Sequence, residues 1–393
     1  MIKKSTWKKK IILSFLLVSL SCCYGCSDRN LKDKSTEAAS YELDSNENIA
    51  SPSVNLSTPT ATSPVPSPTP TIEPVTYKGT VQHIFFHPLI AYTERAFDND
   101  SMSEGYNNWM ITVEEFKKIL NSLYEKNFIL VDYDDIYENK NEDGKVLLVK
   151  RELKLPPGKK PLILSIDDLN YYEYMLANGN VYKLILDADG NVATYSVAPD
   201  GKEVISYDNE IVPILDKFVE EHSDFSFNGA KGIIASTGYE GILGYRTHKL
   251  DSPDYEKEKT EALKVVKRLK ETGWTFACHG YGHLDAVKVS HDRFVRDTER
   301  WKKEVETLVG PTQIYIYPYG SAFAYKDPGL KYLLEQGFNI LCGVGAGGYF
   351  EKYETCALID RRNIDGFSFK HHAEKLEDLF DVNEVIDSVR PPL

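Results

Sequence analysis

The sequence predicts an α/β protein, a parallel (β/α) barrel of about seven units, and three observations carry that expectation. Short apolar runs alternate with amphipathic helical patterns from Ile211 to Cys342. That rhythm requires parallel strands joined by right-handed crossovers. The run Pro161–Ile166 is apolar throughout, as a strand covered on both faces should be. Finally, three segments rich in chemistry each follow such a run, and in α/β folds chemistry gathers at the carboxyl ends of strands.

Taken in order, the chain opens on five lysines (3, 4, 8, 9 and 10) and an apolar run from Ile11 to Leu20. A basic start and a short apolar stretch read as an export signal over residues 1–26, too short for a stable span. Gly25-Cys26 suits lipoprotein processing, with Cys26 as the lipidated residue and Cys22 or Cys23 as the other choices. Residues 27–76 are rich in Ser, Thr, Pro and charge and read as a semi-extended tether. Residues 77–393 then form the folded domain, long enough for one large core.

Within the domain, Val81–Phe86 is the first strand. Thr112-Val-Glu-Glu115 fits a capping box and opens a helix with Phe116, Ile119, Leu120 and Leu123 on one face. Strands follow at 128–131 and 161–166. Residues 171–208 then break the rhythm: Val181–Leu186 and Asn191–Val197 flank Asp187-Ala-Asp-Gly190 and predict a β-hairpin insertion. Asp187, Asp189 and Asn191 have calcium-loop spacing, but the downstream bidentate Glu is missing, so the turn reading is preferred. Helices at 211–222, 255–272, 292–308 and 328–336 alternate with strands at 231–236, 274–278, 313–316 and 338–342.

The strand ends carry Ser165-Ile-Asp-Asp168, His279-Gly-Tyr-Gly-His283 and Tyr317-Pro-Tyr-Gly320. Adjacent residues on a strand face opposite sides, so Asp167 and Asp168 can share one site only where the chain turns. Gly280 and Gly282 disfavour a regular helix, so a turn must present both imidazoles. Two His and one Asp form a facial metal set, leaving the second Asp as a general base. The proline-fixed turn at Pro318 suits the Tyr319 N–H to a developing oxyanion. Cys278 closes its strand and is expected in the core.

These words resemble those of the polysaccharide deacetylases, the NodB-homology or carbohydrate esterase family 4 domain. The resemblance covers roughly 160–345 plus the first strand. It implies a distorted (β/α) barrel with a divalent metal, most often zinc, held by Asp168, His279 and His283. It makes Asp167 the base and Tyr319 the backbone oxyanion donor, with Tyr317 and Pro318 beside the substrate. His87, at the end of the first strand, is implied at the rim of the site, and Tyr172 is a candidate sugar contact. The pattern departs from the family at Gly280, Leu169 and Ile316, the last standing where an arginine would orient the base. Arg361 or Arg362 is a candidate replacement, and His371 or His372 a candidate general acid.

Removing the five leader lysines from a formal net charge of −13 leaves −18, which excludes nucleic acid as an expected partner. Three cysteines remain in the domain (278, 342 and 356), too few and too odd for a disulfide scaffold. The expectation is therefore a monomeric, extracytoplasmic, lipid-anchored N-deacetylase of bacterial type, acting on peptidoglycan or another acetylated polysaccharide. A glycan-binding relic without turnover, and a hydrolase of another amide or ester, are the competing readings.

Overall fold

The computed structural model describes residues 73–345 and 350–393, so the expected leader, Cys26 and nearly all of the tether lie outside the described residues. Eight parallel strands organise the domain: β1 (Gln82–Phe86), β2 (Phe128–Leu130), β3 (Lys160–Asp167), β4 (Ile233–Ser236), β5 (Thr275–Cys278), β6 (Ile314–Ile316), β7 (Ile340–Val344) and β8 (Ala357–Asn363). Around the barrel the order is β4-β5-β6-β7-β8-β1-β3, and β3 returns to β4 to close it. Closure is uneven because β3 changes partner along its length. Its start pairs with β2 (Phe128 with Lys160), its end with β4 (Ile233 with Ser165). The barrel is thus distorted, as expected, with β2 left outside the ring.

Side chains alternate along each strand. One set (Ile163, Ala235, Ala277, Ile316, Cys342, Ile359) fills the barrel interior. The other (Ile84, Leu164, Ile234, Phe276, Leu341) packs with the surrounding helices α1 (Val113–Glu125), α2 (Ile211–Glu221), α3 (Tyr255–Glu271), α4 (His291–Trp301) and α5 (Pro328–Glu335). The predicted capping box on α1 is present: Thr112 accepts from the Glu115 N–H while Glu115 accepts from the Thr112 N–H. Full burial of each such aliphatic side chain contributes about 1.5–3 kcal/mol, which is what fixes the alternation.

Three departures from the expectation bear on the site. Strand β8 was not foreseen, although it closes the ring between β7 and β1. The insertion is a three-stranded antiparallel meander (Lys183–Leu186, Val192–Val197, Glu203–Ser206) rather than a single hairpin. Its Asp187 carboxylate accepts from the N–H groups of Asp189 and Asn191, the self-braced turn expected there. Nor is the meander peripheral. Leu184 and Ala193 are buried, and the Leu184 N–H donates to Leu243 O. Its removal would expose core, so the insertion is part of the packed domain. Among the described residues no helix is long and apolar enough to cross a membrane.

Candidate metal centre and active site

The Asp pair ends β3, and the chain turns immediately. Asp168 has φ 60°, a left-handed conformation uncommon outside glycine, whereas Asp167 is still in the strand. That reversal brings both carboxylates to one mouth of the barrel. His279 follows β5, and His283, also left-handed at φ 51°, returns on the far side of a glycine-containing turn. The turn is organised by α4: the Asp297 carboxylate accepts from the N–H of Tyr281 at 2.7 Å and of Gly282 at 2.8 Å. A Cβ on Gly280, whose φ is 67°, would lie 3.0 Å from the same carboxylate, so a side chain there would be strained in conformation and crowded in space.

Asp168, His279 and His283 offer ligand atoms within 4.8 Å of one another. Their chemistry fits a divalent cation. His279 Nδ1 is engaged with the Ile316 carbonyl at 2.8 Å, which leaves Nε2 facing Asp167 and the cluster. Burial pushes the His279 imidazole towards its neutral, ligating form against the pull of Asp167 and Asp168. Asp168 Oδ1 accepts the Tyr172 hydroxyl at 2.5 Å, and that hydroxyl also meets Thr237 Oγ1 at 2.6 Å. Burial and the Asp168 charge both raise the Tyr172 pKa, so the phenol stays a donor. Burial favours protonation of Asp168, but His283, His279 and His87 outweigh it and the carboxyl lies below its ordinary range.

Asp167 is gripped by an arginine. Arg361 donates through two nitrogens to Asp167 Oδ1 and Oδ2 at 2.7 and 2.8 Å, a bidentate pair inside the barrel. Burial raises the Asp167 pKa, yet the Arg361 guanidinium, helped by His279, holds the carboxyl well below its ordinary value. Of the two candidate arginines, alternation along β8 turns Arg361 inward and Arg362 outward to Asp378 and the Lys375 carbonyl. The arginine missing before Tyr317 is therefore supplied from another strand, while Ile316 serves His279 through its carbonyl.

The remaining candidates divide. Tyr319 sits in the turn at φ 58° with its ring 4.6 Å from His283 and 69% exposed. His87 directly follows β1 at the strand-end mouth of the barrel, its ring edge-on to Phe85 at 5.9 Å. Tyr172 is buried behind Asp168, so it braces a ligand instead of offering a ring to sugar. Tyr317 and Pro318 are also buried; the Tyr317 ring packs against Tyr315 and Phe323 and cannot face a substrate. His371 and His372, at the end of helix α6 (Gly366–His371), both pack on Phe367, and neither joins the metal-competent cluster. Cys278 is buried and free, as expected. Sequence reasoning did not anticipate the Asp297 brace or the orienting role of Tyr172. Spacing gave one signal for the latter: Tyr172 lies four residues beyond Asp168 on a chain that has just reversed.

A parallel barrel with a two-His, one-Asp cluster and an arginine-held carboxylate at its strand ends has the layout of a hydrolytic site. Residues 248–340, which include both histidines and the Tyr-Pro-Tyr-Gly turn, match the family model described as polysaccharide deacetylase. No curated protein matches the chain. Among solved structures it is similar to a Streptococcus pyogenes deacetylase solved with acetate, at 12% identity over 73% of this chain and 93% of that one, TM-score 0.41. A polysaccharide deacetylase from Bacillus cereus is similar at 11% identity over 78% and 70% of the two chains, TM-score 0.42. A Bacillus anthracis protein described as a polysaccharide deacetylase gives 11%, 74%, 66% and TM-score 0.42. The chain spans 66% of the length of that last protein. These are likenesses of fold at low identity.

Proposed function

We propose that the protein is a metal-dependent N-deacetylase that releases acetate from N-acetylhexosamine units of an extracytoplasmic polymer, peptidoglycan or a related polysaccharide. The observation that carries this reading is the pairing of a cation-competent cluster, Asp168–His279–His283, with a carboxylate, Asp167, kept ionised and aimed by Arg361. Asp168, His279 and His283 would hold the ion, with zinc as the proposed identity. Such an ion, when bound, polarises the acyl carbonyl and lowers the pKa of water.

Asp167 accepts the proton of the attacking water, since its ionised form is the one Arg361 stabilises. The Tyr319 N–H is the proposed donor to the oxyanion of the tetrahedral intermediate; one such donor is typically worth about 3 kcal/mol. The departing amine needs a proton, and we assign it to His87, which directly follows β1 at the strand-end mouth, in preference to His371 and His372, which pack on Phe367. The missing arginine before Tyr317 and the unplaced general acid are the two grounds for a non-catalytic glycan binder; the Arg361–Asp167 pair speaks against the first. A leader lipidated at Cys26 and a tether over 27–76 would hold a monomeric domain outside the membrane.

The test uses the full chain. Elemental analysis is expected to find one equivalent of zinc or a similar ion, lost in His279→Ala. Acetate release from an acetylated chitooligosaccharide is expected to fall by about 10²–10⁴ in Asp167→Asn, with metal retained. No metal after reconstitution, or release unchanged in Asp167→Asn, would overturn the reading. Release from simple aryl acetates but from no glycan would point to the other hydrolase.

A further inference from the structure

Among the apolar side chains that fill the barrel interior (Ile163, Ala235, Ala277, Ile316, Ile359) runs a line of polar atoms beneath Arg361. Arg361, itself 0% exposed, gives one nitrogen to Ser165 Oγ at 3.1 Å as well as to Asp167, and its Nε to the Gly343 carbonyl at 3.3 Å. Ser165 Oγ meets His83 Nε2 at 2.9 Å, His83 Nδ1 meets the Tyr133 hydroxyl at 2.8 Å, and that hydroxyl meets Cys342 Sγ at 3.5 Å. Each of these groups is fully buried.

Proton counting leaves one direction for this line. Ser165 accepts from Arg361, so its own hydrogen is free for His83 Nε2. His83 then carries its hydrogen on Nδ1 and donates to Tyr133, whose hydroxyl hydrogen is left for the Cys342 sulfur. In the opposite direction Ser165 would accept twice and its hydrogen would have no partner, which is costly in a buried site. The neutral imidazole this requires is the form favoured by burial and by the nearby Arg361 charge. A second contact stabilises the guanidinium from its face, with the Phe85 ring centroid 4.1 Å away.

We propose that His83 and Ser165 are positioning residues for the reaction: with Tyr133 they form a one-way hydrogen-bond chain inside the barrel that locks Arg361 in the bidentate pose aiming Asp167. This rests on the deacetylase reading for its kinetic consequence, though not for the lock itself. A buried arginine, whose long side chain has several torsions that can turn, is a poor aiming device by itself. Fixing one nitrogen to Ser165, and Ser165 to an imidazole wedged against Tyr133, removes that freedom. The chain thus converts interior packing into orientation of a reacting group, where a displacement of about 1 Å can cost roughly 10²-fold in rate.

The test reads the guanidinium directly. In the full chain labelled with 15N-arginine, Arg361 is identified by the signal lost in Arg361→Lys. Its Nη hydrogens are expected to give separate, slowly exchanging signals. Ser165→Ala and His83→Leu are expected to merge them into one averaged signal, while His83→Gln, which keeps an acceptor towards Ser165, restores their separation. In the same two disrupting variants kcat for acetate release is expected to fall about tenfold with KM within about twofold and metal content unchanged. Signals that stay separate in both variants overturn the proposal whatever the acetate assay gives. If those variants do not fold, Tyr133→Phe removes one oxygen and little volume: merged signals support the chain, unchanged ones overturn it. Separate signals that merge as expected, in a wild type that releases no acetate, would overturn the deacetylase reading and leave the lock standing.

Discussion

At the scale of single residues, one hydroxyl decides where the Asp168 carboxylate points. Tyr172 donates to Oδ1 at 2.5 Å and is itself pinned by Thr237, so the other oxygen is left for the cluster. Groups that orient a metal ligand are typically worth about 10- to 100-fold in affinity. Tyr172→Phe, which keeps the packed ring, is therefore expected to weaken metal binding by roughly that factor, read by competition with a chelator. Unchanged affinity would return Tyr172 to a packing role. The assignment of His87 makes a different demand. His87→Gln should lower kcat by about 10²–10⁴ while bound metal stays constant. A kcat unaffected by that change would require another acid.

At the scale of elements, the turn after β5 is where sequence and three-dimensional contact meet. Gly280 is left-handed and its missing Cβ makes room for the Asp297 carboxylate that binds the next two amides. Gly280→Ala should cost about 1–2 kcal/mol in stability and reduce metal content, since the left-handed turn that carries His283 is strained by a side chain. Retention of full metal content would show that the turn tolerates the strain. The glycines, the capping box of α1 and the strands that end at Asp167 or just before His279 and Tyr317 were all legible, because each is written in local residue types. Strand β8 was not. Ala357–Asn363 contains Asp360, Arg361 and Arg362, and three consecutive charges hide a strand whose alternate positions are buried. Its inward arginine is stable only because Asp167 waits 194 residues earlier in the chain. A long-range ion pair leaves no periodicity to read, so the sequence offered Arg361 and Arg362 as equals. Tyr172 was misread as a sugar contact for the same reason: its partner Thr237 lies on another loop, 65 residues on.

For the molecule as a whole, two buried carboxyl groups set stability in opposite ways. Glu115 is paired: Arg390 reaches both its oxygens at 2.6 Å and also donates to Asn107 and the Met110 carbonyl, tying the last residues to α1. Arg390→Leu should cost about 3–5 kcal/mol, because a buried charge is left without its partner. A chemical melt that does not shift would contradict that. Among the described residues no cation pairs with Glu210. It lies 0% exposed at the start of α2, accepts from the Leu89 and Ile211 N–H groups, and meets the Tyr171 hydroxyl at 3.2 Å. Burial outweighs those bonds and pushes its pKa from 4.5 up to about 8. The folded state thus holds the Glu210 proton more tightly than the unfolded chain does, so folding is favoured where that proton is present. The contribution is complete below the unfolded pKa of 4.5, falls as pH rises, and is gone above about 8. Each unit of separation corresponds to about 1.4 kcal/mol, so the total is on the order of several kcal/mol. Glu210→Gln keeps the acceptor oxygen and removes the titration. In denaturant melts between these limits, the variant should gain on the wild type steadily with rising pH, and the difference should level off above about 8. Parallel stability curves for the two proteins would mean that Glu210 finds a compensating charge or water in solution and remains ionised throughout.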